Sequence, residues 1–209
     1  MGVEMKNFNK NVLKRVLLAL LFLIFLLISP SFSLMIKLPL IQLVQTADVI
    51  ILGDVENIRC EWSLNKKIIL TITTLRIKEV WKGNVRDSRI IIQTLGGTIG
   101  DLSLNVSDVS VYQKGEEVLV FLKTIDDVKH LENSFSVSLN FLPSFSVFGR
   151  AQGKYSIDKN KIARKGEYSL LDKEVDTDNV ITLPELEVRI KLIVKDDLRT
   201  RQKKHETIK

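Results

Sequence analysis

Apolar residues along this chain recur mainly at every second position, the spacing of a β-strand with one face in a core. The run IILTITTLRI shows this over the greatest length: Ile68, Leu70 and Ile72 hold even positions, then Leu75 and Ile77 hold odd ones. A change of phase near Thr73 and Thr74 lets one strand face a core on both sides of a bend, which predicts a β-bulge there. Upstream, DVIILGDVENI predicts a first strand with Val49, Ile51 and Val55 on one side. Before it, Leu38, Ile41, Leu43, Val44 and Ala47 outline a short helix or turn with one apolar side. Downstream, WKGNVRDS closes a hairpin and leads into the strand RIIIQTL.

In DLSLNVSDVSV, Leu102, Leu104 and Val106 alternate with polar neighbours, and Val109 and Val111 continue in the other phase, predicting a strand across residues 101–111. The turn YQKGEE introduces VLVFL, whose unbroken apolarity predicts a strand buried on both faces. FSVSLNF alternates most cleanly, with Phe135, Val137, Leu139 and Phe141 opposite Ser136, Ser138 and Asn140. FSVFGRAQGKYSIDKNK reads as a strand and hairpin interrupted by Gly149 and Gly153, with DKN as its turn. The period changes at the C-terminus. Thr182 and Glu185 have capping-box spacing, Pro184 falls in the first turn, and Leu186, Ile190 and Ile193 form a helical stripe. The polar stretch GEYSLLDKEVDTDN before it reads as a surface loop. Short strands separated by turns, without regular strand and helix alternation, predict a mainly β fold. The expected form is a single OB-like barrel or β-sandwich, with a short N-terminal helix or turn and a C-terminal helix capping one side.

With 209 residues, 45% of them hydrophobic, the chain can build one domain with a real core. The apolar content is uneven, however. Lys6, Lys10, Lys14 and Arg15 precede VLLALLFLIFLLI, which gives way to Ser29, Pro30, Ser31 and Ser33. A basic region, an apolar region and then small residues is the layout of a secretory signal peptide over residues 1–33, with cleavage after Ser33. The rival is an uncleaved membrane anchor over residues 16–36, where no charge occurs. Pro30 and the three serines favour the signal peptide. Either reading places the rest of the chain, a β-domain over residues 34–194 and a basic tail over 195–209, outside the cytoplasm. The four bases and one acid of residues 1–33 supply half of the formal net charge of +6. A nucleic-acid partner is therefore not expected.

Candidate chemistry is sparse. Cys60 is the single cysteine, so no intramolecular disulfide can form, and no nearby histidine is available to make its thiolate. His130 and His205 sit in polar surroundings without metal-ligand spacing, and one cysteine with two distant histidines cannot close a zinc shell. The densest acidic groups are Asp126 with Asp127, Glu116 with Glu117, and Asp172, Glu174, Asp176 and Asp178. The last set lacks the glycine and terminal glutamate of an EF-hand and reads as a solvated loop. No catalytic residue, cofactor or metal is expected. Asn105, in Asn105-Val106-Ser107, is a candidate glycosylation site placed within an expected strand. The segment QTLGGTIGD follows a strand, and its Gly96, Gly97 and Gly100 form a candidate interaction or backbone-donor loop. A phosphate loop needs a helix beyond the glycines, whereas DLSLNVS has a period of two, so a strand-to-strand connection is expected.

The succession ADVIILGDVENIRCEW, ITTLRIKEVWKG, IIIQTLGGTIGDLSLNVSDVSVYQKGEEVLVFL and FGRAQGKYSI resembles an uncharacterised family of exported bacterial and archaeal β-rich proteins. The likeness spans residues 47–157, with the glycine segment and KGEEVLVFL as its most specific parts. It implies an exported module with no established activity. In architecture the chain is also similar to the OB-like barrel of metalloprotease inhibitors and netrin modules. Those inhibitors reach the protease metal through an amino-terminal cysteine, and there is none near Leu34. The expectation is an exported, non-enzymatic β-domain that binds a protein or surface polymer at the cell envelope. The alternative is an enzyme or enzyme-inhibitor module whose carboxylates meet only on folding.

Overall fold

The computed structural model describes residues 14–18, 36–63, 65–125, 143–166 and 179–207, with the side chains of 201 and 203–207 excepted. The chain divides into two units, Met1–Leu34 and Met35–Lys209. In the first, residues 14–18 are helical and exposed. Among the described residues no helix is long and apolar enough to cross a membrane. Residues 19–35 of the expected signal peptide or anchor, FSVSLNF and the acidic loop of residues 167–178 lie outside the described residues.

The second unit is mainly β, with ten strands and two helices among its described residues. A short helix α1 (Leu40–Thr46) precedes β1 (Val49–Trp62), β2 (Ile69–Lys82) and β3 (Arg89–Leu95). A small hairpin of β4 (Gly97–Ile99) and β5 (Leu102–Leu104) leads through an irregular segment to β6 (Glu117–Thr124). Then come β7 (Ser144–Val147), a 3-10 turn (Arg150–Gly153), β8 (Lys154–Ile157), β9 (Ile162–Lys165), β10 (Val180–Thr182) and α2 (Leu183–Thr207). The large sheet runs β1-β2-β3-β7-β6, and β6 pairs back onto β1, so five strands close a barrel. The parallel pair β3–β7 and the antiparallel return β6–β1 decide for an OB-like barrel over a sandwich. The meander β8-β9-β10 extends from the half of β6 that β7 leaves unpaired.

Closure explains the unbroken apolar runs. Val49 and Ile51 of β1, Ile90 and Ile92 of β3, and Val118, Val120 and Leu122 of β6 fill the barrel with Val55, Leu75, Tyr112 and Phe145. Their neighbours Ile50, Leu52, Leu119 and Phe121 point outward into a second core with Tyr155, Ile157, Ala163 and the two helices. Helix α1 contributes Leu40, Leu43 and Val44, and α2 contributes Leu183, Leu186 and Ile190. The expected apolar side of α1 is corrected at one position, since Leu40 faces in while Ile41 is 50% exposed. Lys82 holds the C-terminal end of α1, its Nζ donating to the carbonyls of Val44, Gln45 and Ala47 at 2.6, 3.0 and 2.7 Å. A cation there satisfies orphan carbonyls and complements the helix dipole. At the start of α2 the Thr182 hydroxyl accepts the Glu185 N–H at 3.4 Å, one half of the expected capping box. The Glu185 carboxylate pairs instead with Arg189.

Two strand expectations change. Strand β2 keeps one register against β3 from Leu70 to Arg76, so it carries no bulge at Thr73 and Thr74. The phase change arises because Leu70 and Ile72 pack with Ile91 in a third cluster outside the barrel while Leu75 packs inside. The extra residue belongs to the partner strand, where the register skips Glu56 between Val55 and Asn57. The strand expected over 101–111 stops at Leu104. Residues 105–116 instead wrap the barrel, carrying Tyr112 into its interior.

Strand β1 can close the ring only by bending sharply. Gly53 sits where Val118 of β6 and Ile77 of β2 flank the same residue, and a side chain there would run into the Arg76 carbonyl and Leu75. Gly53→Ala is expected to destabilise the fold by roughly 1–3 kcal/mol through overpacking, read as a lowered urea midpoint. An unchanged midpoint would show that the bend does not need glycine.

Candidate functional site

Beyond the reach of the helices the outer face of the barrel turns from apolar to charged. Asp54 follows Leu52 on the same side of β1, and the bases of β2 come up beside it. Asp54 accepts from Arg76 at 2.8 Å and from Lys78 at 2.6 Å. Lys78 also reaches Glu117 at 2.9 Å, and Glu117 is met by Lys161 at 2.7 Å. Glu56 pairs with Arg89 at 2.6 Å. Partial burial pushes the Asp54 carboxyl up, but hydrogen bonds and charge from Lys78 and Arg76 outweigh this and hold it below its ordinary value. Glu117 is depressed in the same way by Lys161 and Lys78 against its own desolvation. For Glu56 the Arg89 hydrogen bond dominates and lowers it. Lys78 is pushed down by burial and pulled up further by Asp54 and Glu117. Carboxylates held ionised by this ladder have no proton to give, so they cannot serve as general acids at neutral pH.

Glu116, adjacent to Glu117 in sequence, faces a different environment. Its Oε1 accepts from Lys154 at 2.7 Å and from Ser156, and its Oε2 from the Gln113 N–H at 2.9 Å. Lys154 is 5% exposed, donates also to the Val111 carbonyl and lies 4.9 Å from the centre of the Tyr112 ring. Burial lowers the Lys154 ammonium, and Glu116 offsets only part of that. Burial likewise raises the Tyr112 hydroxyl. This cluster fastens residues 111–116 to β8 with every charge answered. The expected acidic pair is thus split between two faces. Nothing in KYSI reveals a buried lysine, since Lys154 carries the pattern of a solvent-facing strand position.

The glycine loop forms the β4–β5 hairpin, a strand-to-strand connection. Gly96, at φ +97, donates its N–H to the Ile69 carbonyl at 2.9 Å, and its own carbonyl accepts from the Thr71 hydroxyl at 2.8 Å. Gly97, at φ +131, packs so closely on β1 and β2 that a Cβ would lie 2.6 Å from the Cys60 sulfur and 2.8 Å from Thr71 Oγ1. Gly100, at φ +59, opens the two-residue turn and has open space around it. Cys60 is half-buried beneath this hairpin, within 3.7 Å of Thr71 Oγ1. Asn105 is exposed just past the end of β5, outside a strand, contrary to its expected position. His130, Asp126, Asp127 and the acids of residues 172–178 lie outside the described residues, as does the His205 side chain. Among the described residues no group of three or more His, Cys, Asp or Glu side chains could hold a metal ion.

A cleft of about 360 Å³ opens where α2 leaves the sheet. Its walls are Val80 and Trp81 of β2 and Val194 and Leu198 of α2, and its rim carries Asp48, Lys82, Gly83 and Asp197. The helix creates it by losing its partners: Leu186 and Ile190 are fully buried, whereas Leu198 is 57% exposed. A register shift between Ile50 and Ile51 leaves Trp81 outside the β1–β2 pairing. Its indole turns inward beneath the helices, with Nε1 donating to Glu79 at 2.9 Å. On the rim Asp48 is bound by Lys123 at 2.7 Å and by the Thr124 N–H at 3.0 Å. Despite desolvation these contacts keep its carboxyl low. The volume suits a side chain or small ligand, and the apolar walls suit binding better than proton transfer. No protein-family model matches this chain, and no curated protein matches it.

The ladder makes a signed prediction about pH. Asp54 and Glu117 have ordinary values of 3.8 and 4.5 and lie below them in the folded chain, so their contribution to stability is complete above those values. It drains as pH falls through the lower folded values. Urea unfolding at pH 7 and pH 3 should show that Asp54→Asn with Glu117→Gln is less stable at pH 7 and loses less than the unaltered chain on acidification. Parallel losses would remove the ladder from the account.

Proposed function

We propose that this chain is an exported, non-enzymatic β-domain that binds another protein at the cell envelope, with the cleft between β2 and α2 as its anchor point. The observation that carries the reading is the chemistry of that cleft. Val80, Trp81, Val194 and Leu198 offer an apolar wall, while the ionisable groups at its rim are already engaged in the domain's own contacts. An apolar side chain of a partner gains by leaving water there, and it needs no proton donor or metal. Export rests on the basic and apolar residues 6–28 and on the resemblance to exported β-rich proteins. A protein is favoured over a surface polymer because saccharide binding calls for polar groups with open hydrogen-bonding capacity, and the apolar wall offers none.

The test places a photo-crosslinking amino acid at Leu198 in cells, with Leu102 on the β4–β5 hairpin as the control position. A discrete envelope-protein adduct from position 198, absent from position 102 and lost when Val80→Asp is added, is the expected result. Equal labelling from both positions would sink the cleft as the binding surface.

A further inference from the structure

Gln152 is a fully buried polar side chain on the 3-10 turn, and it is spent on the first described residues of the β-domain. Its Oε1 accepts the Leu38 N–H at 2.7 Å and its Nε2 donates to the Ile36 carbonyl at 2.9 Å. In an extended segment the carbonyl of one residue and the N–H of the residue two further on share an edge, where a parallel neighbouring strand would bond them. The Gln152 amide takes that neighbour's place. Its orientation is fixed because an N–H needs an acceptor and a carbonyl needs a donor. Beside it Gly149, at φ +77, leaves a recess in which a Cβ would stand 2.9 Å from Leu38 Cδ1 and 3.0 Å from Leu43 Cδ2. Backbone recognition and a side-chain recess together make a built receptor for residues 36–38.

We propose that this receptor sets the proteolytic boundary of the domain, so that whatever is removed from the N-terminus ends upstream of Ile36. Proteases act on segments they can hold extended and free. The Ile36–Leu38 backbone is already held, and releasing it leaves the buried Gln152 amide without partners. Cleavage after Ser33, the position expected from the sequence, falls upstream of the receptor. The proposal rests on the export reading for its setting in the cell, but the receptor can be tested without it.

The sequence provides a readout, because Arg15 and Lys37 are consecutive tryptic sites with no lysine or arginine between them. Brief trypsin treatment of the full chain in mild detergent, followed by amino-terminal mass analysis, reads the rate at which the product beginning at Leu38 appears. In Gln152→Leu the Leu38 product should appear about tenfold faster or more, as expected when a buried amide's bonds are lost. If that variant fails to fold by circular dichroism, Leu38→Gly, which empties the recess and leaves Gln152 in place, should accelerate the same cut. No acceleration of the Lys37 cut in a folded variant would overturn the receptor. Mass analysis of protein recovered from cells separates the two claims. A chain starting between residues 30 and 36 supports the boundary, one starting beyond Leu38 overturns it with export intact, and an unprocessed cytoplasmic chain defeats export alone.

Discussion

The structure depends on β1 being paired along both edges. Residues 49–54 bond to β6 on one side while β2 follows on the other, and that double pairing turns an open sheet into a barrel. A strand so placed has neither a free edge nor a solvent face in its first half, so Val49 and Ile51 must be apolar for the barrel and Ile50 and Leu52 for the layer outside. The second layer requires a cover, and α1 and α2 supply it. Gly53 marks the point where this double demand meets backbone crowding from β2. The cleft by Trp81 exists because α2 outlasts the surface it covers.

Electrostatics follows the same geography. Where helices cover the sheet the packed side chains are apolar; where they end, Asp54, Glu56 and Glu117 meet Arg76, Lys78, Arg89 and Lys161. Partly exposed pairs of this kind add little stability singly, and their larger effect is to fix the protonation of the carboxylates. The Glu116–Lys154 pair is different because Lys154 is buried. Removing Glu116 would leave the buried Lys154 ammonium without its counter-charge, which makes the pair a determinant of how residues 111–116 lie against β8.

Much of this architecture was legible in the residues. The alternation of β1 and β2, the doubly apolar VLVFL, the DKN turn and the Thr182 cap each correspond to an observed element, because each depends on local spacing or a single burial decision. The failures have a common physical origin. Val106, Val109 and Val111 continue a strand-like pattern, yet among the described residues no strand pairs with them, and the segment wraps the barrel instead. The change of phase in β2 points to a bulge there, whereas the extra residue is Glu56 in β1, and one strand's sequence does not say which partner carries the insertion. Gln152, Lys82 and Lys154 gave no signal, since their roles depend on carbonyls 35 to 116 positions away. The glycine loop was the reverse case: its φ values and close contacts with Cys60 and Thr71 explain the residues, and they are packing constraints.

The central claim is that β1 closes the barrel and thereby organises both cores. Native-state hydrogen exchange tests it most directly, because amides bonded across the β1–β6 seam can open only when the barrel does. Ile51, Gly53, Val118 and Val120, whose amides bond across that seam, should exchange among the slowest, with the free energy of global unfolding. Rapid exchange along that seam while the β8–β9 hairpin stayed protected would contradict a closed barrel.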